Sequence, residues 1–260
     1  MTVSQLQERI QKSPSLDFGD IFSRAINLFQ KVWVQGLLLQ LLVIAIYMGL
    51  YFIVALPMLG GAFILDGTEF EQSNELTGAS LILTILTIAL FILFILAFNI
   101  FIYGLLMAFY RIIRLKERNT TEPNVNFGMF FKRPHLKTTI LFGLSHMGIS
   151  LLAMLLCFLP IIYVFVPLQV AVVIRAFNPH LSIGELYKVA FELGNKKWFL
   201  IFGLTFVSGL LAYIVGLIAC GIGIFITMTF MYIPVYIVYK DVIGFTEDDE
   251  AIASIGSSFS

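Results

Sequence analysis

Charged side chains are scarce in this chain. Asp, Glu, Lys and Arg make up only 12% of its 260 residues, whereas 59% are hydrophobic, and the mean hydropathy is +0.95. Soluble domains carry about 25% charged residues, so this composition excludes a soluble globular protein. Long apolar stretches without a charged residue remain, and they predict an integral membrane protein.

Cysteine and histidine are too few for several kinds of site. The two cysteines, Cys157 and Cys220, provide neither a disulfide framework nor a metal cluster; they either pair with each other or fill small packing positions. The three histidines, His135, His146 and His180, are too scattered for a metal site made mainly of imidazole. No Gly-rich phosphate loop, nucleophile elbow or paired-carboxylate site occurs. We therefore expect no enzyme, no cofactor and no bound metal.

Acids and bases are missing from the interiors of the apolar stretches, which argues against an ion-coupled pump because such proteins need a buried carboxylate. The candidate polar side chains inside the membrane are His146 and Asn99. For His146 we favour a structural role, with hydrogen bonds to Ser145, Ser150 or a neighbouring helix; proton or ligand handling is the alternative. Asn99 is interpreted as a hydrogen-bonding residue between helices.

Six apolar stretches are candidates for membrane spans, since roughly 20 helical residues cross the hydrocarbon core. They cover residues 33–56, 79–110, 139–157, 160–174, 198–219 and 221–239. The third and fourth are short and closely joined, so they form either two tilted spans or a hairpin that enters the membrane and returns. We expect an all-α protein with six transmembrane helices, locally distorted at Pro167 and Pro234.

Basic residues are absent from the one long connection at residues 57–78, which carries four acids. All sixteen Lys and Arg fall in segments that six crossings would leave on the opposite face. Positive charge is retained on the cytoplasmic side during insertion. The sequence therefore predicts a multi-pass protein of the bacterial inner membrane with both termini in the cytoplasm. Residues 242–260 are predicted to form an acidic, flexible tail.

A short motif occurs three times. Residues 17–22 read DFGDIF, residues 182–187 read SIGELY, and the match continues ungapped to Trp33 and Trp198. A weaker copy, NFGMFF, covers residues 126–131. Internal repeats determine the fold when present, so we predict a single membrane domain of three units, each an amphipathic helix followed by a helix hairpin. The predicted repeats cover residues 15–110, 124–177 and 180–241.

Each copy of the motif begins with Asp, Asn or Ser, which cap helix N-termini, and Ser182 with Glu185 has capping-box spacing. Apolar residues then recur at helical period opposite a polar face, as in helices that lie in the membrane interface. The middle copy is degenerate because Pro134 ends its helix within about two turns. The residues predicted to face the apolar side of these helices and span entries are Phe18, Phe22, Trp33, Ile183, Tyr187 and Trp198.

This motif, followed by Ala and a basic-aromatic span entry, resembles that of a broad group of uncharacterised bacterial membrane proteins. It also resembles the membrane domain that is sometimes fused ahead of glycerophosphodiester phosphodiesterases. In the fused proteins catalysis belongs to a separate soluble barrel, for which 260 residues leave no room. The resemblance therefore implies an all-α membrane protein without catalytic residues.

A cluster of bases follows the second apolar stretch. Orientation in the membrane and contact with anionic lipid headgroups explain it, and a protein partner is the alternative; we expect no nucleic-acid partner. A membrane-protein partner or a second copy of the chain is compatible with the same surface. The clustered bases are Arg111, Arg114, Lys116, Arg118, Lys132, Arg133 and Lys137.

These patterns favour a non-enzymatic membrane protein that acts as a scaffold, an assembly factor or a component of a membrane-stress response, in contact with lipid or a partner. The rival interpretation is a small permease or lipid transporter, with a path between the repeats and around His146 and Asn99. A polar cavity that reaches the middle of the membrane would favour the rival, and a packed interior would favour the scaffold.

Overall fold

A computed structural model describes residues 1–66, 78–122, 124–156, 159–219 and 221–245. Within these ranges the chain forms helices and no strands. The α-helices are α1 Val3–Lys12, α2 Phe18–Asp66, α3 Gly78–Arg118, α4 Leu136–Leu155, α5 Leu159–Phe177, α6 Ile183–Lys196, α7 Trp198–Ile218, α8 Ile224–Thr227 and α9 Ile233–Val242. Two 3₁₀ helices cover Met129–Phe131 and Met228–Tyr232.

Several predicted features lie outside the described residues. They are residues 67–77 of the acidic connection, Cys157, Cys220, and residues 246–260 of the acidic tail.

Five helices in the described part of the chain are long and apolar enough to cross a membrane, as expected for a multi-pass protein. They cover Phe18–Ile53, Thr84–Arg118, Leu136–Leu155, Pro160–Phe177 and Trp198–Ile218. The sixth predicted stretch differs, because α8, a 3₁₀ helix and α9 follow one another there without interruption. The 3₁₀ helix ends just before Pro234, whose ring clashes with the carbonyl four residues earlier and removes a hydrogen bond. The distortion predicted at Pro234 is thereby confirmed.

Close contacts pair the helices of the membrane region. Tyr47 of α2 packs edge-on against Phe94 and Phe98 of α3, with ring centroids 5.9 and 5.6 Å apart. Thr227 Oγ1 at the end of α8 donates to the carbonyl of Ala212 in α7 at 2.6 Å. The segment from α8 to α9 therefore returns along α7 as an antiparallel partner.

Charged residues join helix ends at one end of the bundle. Arg24 near the start of α2 forms an ion pair with Asp241 at the end of α9. Glu117 at the end of α3 pairs with Lys240 at 2.7 Å. Arg9 of α1 donates to the backbone carbonyl of Ile243, so the first and last described segments contact each other.

The helices α1, α5 and α6 form a layer at this charged end, which we call the helical layer. Its central contact is between α5 and α6, which lie antiparallel along their whole lengths. Arg175 Nη1 donates to the carbonyl of Leu181 at 2.7 Å at one end, and the Tyr163 hydroxyl donates to Asn195 Oδ1 at 2.6 Å at the other. Amphipathic α1 then covers α6: Gln7 Nε2 donates to Glu192 at 2.6 Å.

The three copies of the repeated motif fold differently. In the first copy the predicted separate interfacial helix does not exist, because α2 begins at Phe18 and continues without interruption past Trp33. The middle copy forms only the 3₁₀ turn Met129–Phe131. The last copy forms the separate helix α6, with the predicted capping box between Ser182 and Glu185. The repeat as a structural unit stays a prediction.

The apolar face of α6 does not face lipid. Tyr187, which we expected on the membrane side, is buried and stacks on Phe142 of α4 at 6.3 Å. The apolar side of α6 is covered by α5 and α4, so the predicted contact of Tyr187 with the membrane is wrong. The apolar face of a helix can be covered by protein or by lipid, so periodicity alone does not show which of the two covers it.

Candidate functional site: the basic end of the bundle

The seven predicted basic residues divide into inward and outward groups. Arg111 Nε donates to the carbonyl of Ala176 at 2.7 Å, and its guanidinium lies 5.2 Å from the centroid of the Phe177 ring. Arg114 is buried, with its guanidinium 3.7 Å from the centroid of the Phe245 ring. Such cation–π contacts stabilise packing, so both arginines hold α3 against the end of α5 and the segment after α9.

The outward group is exposed to solvent. Lys116, Lys132, Arg133 and Lys137 are exposed, whereas Arg118 is half-buried. We call Lys132, Arg133 and Lys137 the basic loop; none of the three forms an ion pair with the residues that the structure describes. Their positive charge is thus available to a ligand.

Aromatic contacts fix the basic loop in place. Phe130 is buried, and its carbonyl accepts a hydrogen bond from Thr139 Oγ1 at 3.0 Å. The Phe131 ring packs on Phe101 of α3 with centroids 5.1 Å apart. It fits because Gly104 has no side chain: a Cβ there would lie 2.4 Å from the ring. These contacts therefore hold the basic loop rigidly against α3.

Exposed leucines begin directly beside these bases. Leu136, Leu141 and Leu144 of α4 are 39%, 45% and 42% exposed. A charged surface next to such an apolar strip is typical of the membrane interface, where bases attract anionic headgroups. The geometry can therefore bind phosphate-bearing lipids through Lys132, Arg133 and Lys137.

His135 adds no positive charge to this face at neutral pH. Burial lowers the pKa of its imidazole below the usual range, and the positive charges of Arg111 and Arg175 lower it further. The positive charge of this face consequently comes from Lys and Arg side chains alone.

The residues predicted at the interface take several positions. Phe18 and Trp33 are 38% and 44% exposed, which suits contact with lipid. Phe22 is half-buried and packs edge-on against Phe230 at 5.7 Å. Ile183 and Trp198 are half-buried, and the Trp198 indole donates to the carbonyl of Tyr163 at 2.9 Å. These residues are spread over the charged end and do not form one site.

His146 lies in a packed aromatic environment. Its ring is 4.2 Å from that of Tyr103 and 5.3 Å from that of Phe142, centroid to centroid, and the residue is 4% exposed. The predicted hydrogen bonds to serine are wrong. Ser145 Oγ instead donates to the carbonyl of Phe142 and contacts the Tyr187 hydroxyl, while Ser150 donates to the backbone carbonyl of residue 146. The His146 Nδ1 atom has no partner in the structure.

Asn99 does not join two helices. Its amide Nδ2 donates to the carbonyl of Ile95 in the same helix at 3.2 Å, so the predicted interhelical role is wrong. Helices α3 and α4 nevertheless pack tightly beside it, because a Cβ at Gly143 would lie 3.2 Å from the Cα atom of Ile100. The structure does not bring Asn99 and His146 together in a hydrogen-bonded pair.

Two cavities are described, and neither is lined by His146 or Asn99. One is a crevice of about 150 Å³ at the charged end, lined in part by Arg24, Lys31 and Glu117. The other is a groove of about 560 Å³ between α5 and α7. The sequence analysis missed this groove, although Thr205 and Gly209, four residues apart in α7, both line it.

Replacing His146 by Phe should leave the free energy of unfolding within about 1 kcal/mol of wild type, because an apolar ring of similar shape removes an unpartnered nitrogen. His146→Ala should cost about 2–3 kcal/mol through the cavity that it leaves. Thermal unfolding in detergent, followed by circular dichroism, measures both. A loss for His146→Phe as large as that for His146→Ala would show that the imidazole has a polar partner.

Comparison with known proteins adds no assignment. No family model matches the chain, and neither does any curated protein or solved structure. The resemblance described above stays a prediction from sequence, and the function has to be argued from the geometry.

Proposed function

We propose that this chain is a non-enzymatic bacterial inner-membrane protein that binds anionic lipids at its cytoplasmic face and presents the helical layer to a partner. The observation that carries the proposal is the basic loop: Lys132, Arg133 and Lys137 are exposed, rigidly attached to α3, and adjacent to exposed leucines. A scaffold or assembly role follows from such a surface, since it combines attachment to lipid with a broad polar layer.

The exposed face of α6 supports a position of this helix outside the hydrocarbon core. Glu185, Lys188 and Lys196 are exposed and span almost its whole length, roughly 20 Å at helical rise. Hydrocarbon does not accommodate such a row of charges. Because α5 lies beside α6 throughout, we infer that α5 stays close to the charged face and does not reach the opposite side of the membrane.

Burial distinguishes α5 from the lipid-facing helices. In its most apolar window 67% of the residues are buried inside the protein, compared with 0% for α3. A helix that is apolar all round is buried, either by protein or by lipid. Here protein buries it, so we interpret α4 and α5 as a hairpin that enters the membrane from the charged face and returns, the second of the two alternatives left open by the sequence.

On this interpretation α2, α3, α7 and the segment from α8 to α9 cross the membrane. The segment from α8 to α9, including its 3₁₀ helix, is roughly 31 Å long, which matches the thickness of the hydrocarbon core. Four crossings put both ends of the chain on one side, in agreement with the contact between Arg9 and Ile243. The one-sided distribution of Lys and Arg makes that side the cytoplasm.

The described interior supports binding and scaffolding over transport. A permease around His146 needs a polar path, but Tyr103 and Phe142 pack directly on that ring. The larger described cavity lies between α5 and α7 and has an apolar lining.

Substitution of the basic loop tests lipid binding. Lys132→Gln with Lys137→Gln should reduce the affinity for anionic lipid roughly tenfold or more, since each base near the surface contributes about 1 kcal/mol. The matched control, Lys12→Gln with Lys188→Gln, removes the same charge from exposed positions on the helical layer. The protein is extracted in polymer-bounded discs, and the ratio of anionic to zwitterionic lipid around it is measured by mass spectrometry. Equal enrichment in wild type and both variants would reject the proposal.

A further inference from the structure

The groove between α5 and α7 opens on the surface that faces lipid. Its volume is about 560 Å³, and Phe165, Phe202 and Gly209 contribute to its lining. Phe206 and Leu210 at its edge are 61% and 49% exposed. Pockets of this size hold small organic molecules, and hydrocarbon chains are the material available at this depth of a membrane.

Thr205 is an unusual wall residue for an apolar groove. It is 2% exposed, it lines the groove, and its Oγ1 atom has no hydrogen-bond partner in the structure. Buried hydroxyls are almost always paired, so this atom indicates a missing polar partner. A plain alkyl chain does not supply one, whereas an acyl ester carbonyl does.

Two lysines precede the first turn of α7, the helix that leads into the groove. There Trp198 stacks on Phe202 at 4.8 Å, directly after Lys196 and Lys197. The two ammonium groups donate to backbone carbonyls of Ile10 and Pro14 and form no ion pair with a carboxylate in the described ranges.

No carboxylate among the described residues therefore neutralises the charge at this end. Burial lowers the pKa of Lys197, and the neighbouring Lys196 lowers it further, as expected where two cations lie together without an acid. An anionic group beside them would complete the site.

We propose that this groove binds one anionic glycerophospholipid, with an acyl chain along α7 and the phosphate beside Lys196 and Lys197. The Thr205 hydroxyl donates to an ester carbonyl of the same lipid. Thr205 lies two helical turns, roughly 12 Å, beyond Lys197, so the polar part of the molecule reaches it while the chain continues toward Tyr213. The inference rests on the proposed function in one respect, that α7 crosses the hydrocarbon core.

Filling the groove tests its occupancy. A Cβ at Gly209 meets no atom within 4 Å, and the same holds for Gly148 of α4, which is also half-buried. Gly209→Leu should therefore fill the groove without backbone strain, and Gly148→Leu is the matched control. Dioleoyl phosphatidylglycerol is titrated into the detergent-solubilised protein and bound lipid is counted by native mass spectrometry. We expect one tight site in wild type and in Gly148→Leu, weakened at least tenfold in Gly209→Leu.

Two further ligands separate the contributions of chain and phosphate. Dioleoyl phosphatidylcholine should bind at least tenfold more weakly than phosphatidylglycerol, because its headgroup has no net negative charge, and glycerol phosphate without chains should not bind. Binding of glycerol phosphate as tightly as the lipid would reduce the site to a phosphate site and overturn the assignment. Equal binding of the two lipids would overturn the headgroup assignment.

A second variant covers the case in which Gly209→Leu fails to fold. Thr205→Val keeps the side-chain shape and should weaken phosphatidylglycerol several-fold while the protein stays folded by circular dichroism. Wild-type affinity in a folded Thr205→Val and a folded Gly209→Leu rejects the inference. Lys132→Gln with Lys137→Gln should leave this single tight site unchanged, so failure of the basic loop to bind lipid and failure of the groove give different results.

Discussion

Gly194→Leu should destabilise the protein by about 3 kcal/mol or more, because it forces α6 away from α5. A Cβ at position 194 would lie 2.9 Å from the Cα atom and 3.1 Å from the nitrogen of Pro167. These are backbone atoms of a residue whose φ angle is fixed by its ring, so they cannot rotate aside. The helices have to separate, and the buried faces of both would lose contact.

The control lies on the same helix. A Cβ at Gly184 meets no atom within 4 Å, and Ala is favoured over Gly in a helix by about 0.5–1 kcal/mol, so Gly184→Ala should be neutral or stabilising. Both variants are compared by thermal unfolding in detergent. Identical melting temperatures for Gly194→Leu and wild type would mean that α6 does not pack on α5 as described.

Leu156→Cys should resist an impermeant maleimide applied to intact cells. Leu156 follows α4 at the tip of the α4–α5 hairpin and is 65% exposed, so the thiol is sterically free. The reagent should fail because the hairpin does not cross the membrane: Tyr163, close after the tip in sequence, contacts Trp198 and Asn195, which lie toward the charged face. A hairpin that crossed the membrane would place this thiol outside.

The labelling is done with both native cysteines replaced by Ser. Thr68→Cys, in the connection that the sequence predicts outside, should be labelled in intact cells, and Lys188→Cys should be labelled only in inverted vesicles. Labelling of Leu156→Cys at the rate of Thr68→Cys would restore six crossings and reject the re-entrant hairpin.

Predictions from sequence were correct where a residue acts only on atoms a few positions away in the chain. Ser182 and Glu185 predicted a capping box that the structure contains, because caps involve atoms three residues apart. Pro234 predicted a distortion that appears as the preceding 3₁₀ helix. The separate interfacial helix predicted for the first motif copy was wrong, because an amphipathic segment and an apolar segment form the same helical hydrogen bonds and nothing at residues 31–33 interrupts them.

The roles of individual polar residues could not be predicted in the same way. Asn99 was expected to bond between helices but donates within α3, and Ser145 was expected to bond His146 but contacts Tyr187 of α6. The hydrogen-bond partner of such a side chain depends on how neighbouring helices are rotated against each other. That rotation cannot be derived from the sequence of one helix. The seven clustered bases likewise look equivalent in sequence, yet Arg114 is buried against Phe245 while Lys132 is exposed.

The sequence by itself determined that this is an apolar, all-helical protein with helices able to span a membrane, because hydropathy and helical period are properties of consecutive residues. It predicted six such helices, and the described part of the structure contains five. Only the tertiary structure decided which apolar segments face lipid and which face protein. The most apolar windows of α3 and α5 are both apolar enough to cross a membrane, but 67% of the residues in that of α5 are buried inside the protein and 0% in that of α3. Burial of apolar side chains is favourable whether protein or lipid removes them from water. Only the packing of segments that are distant in sequence therefore decides which of the two covers a helix.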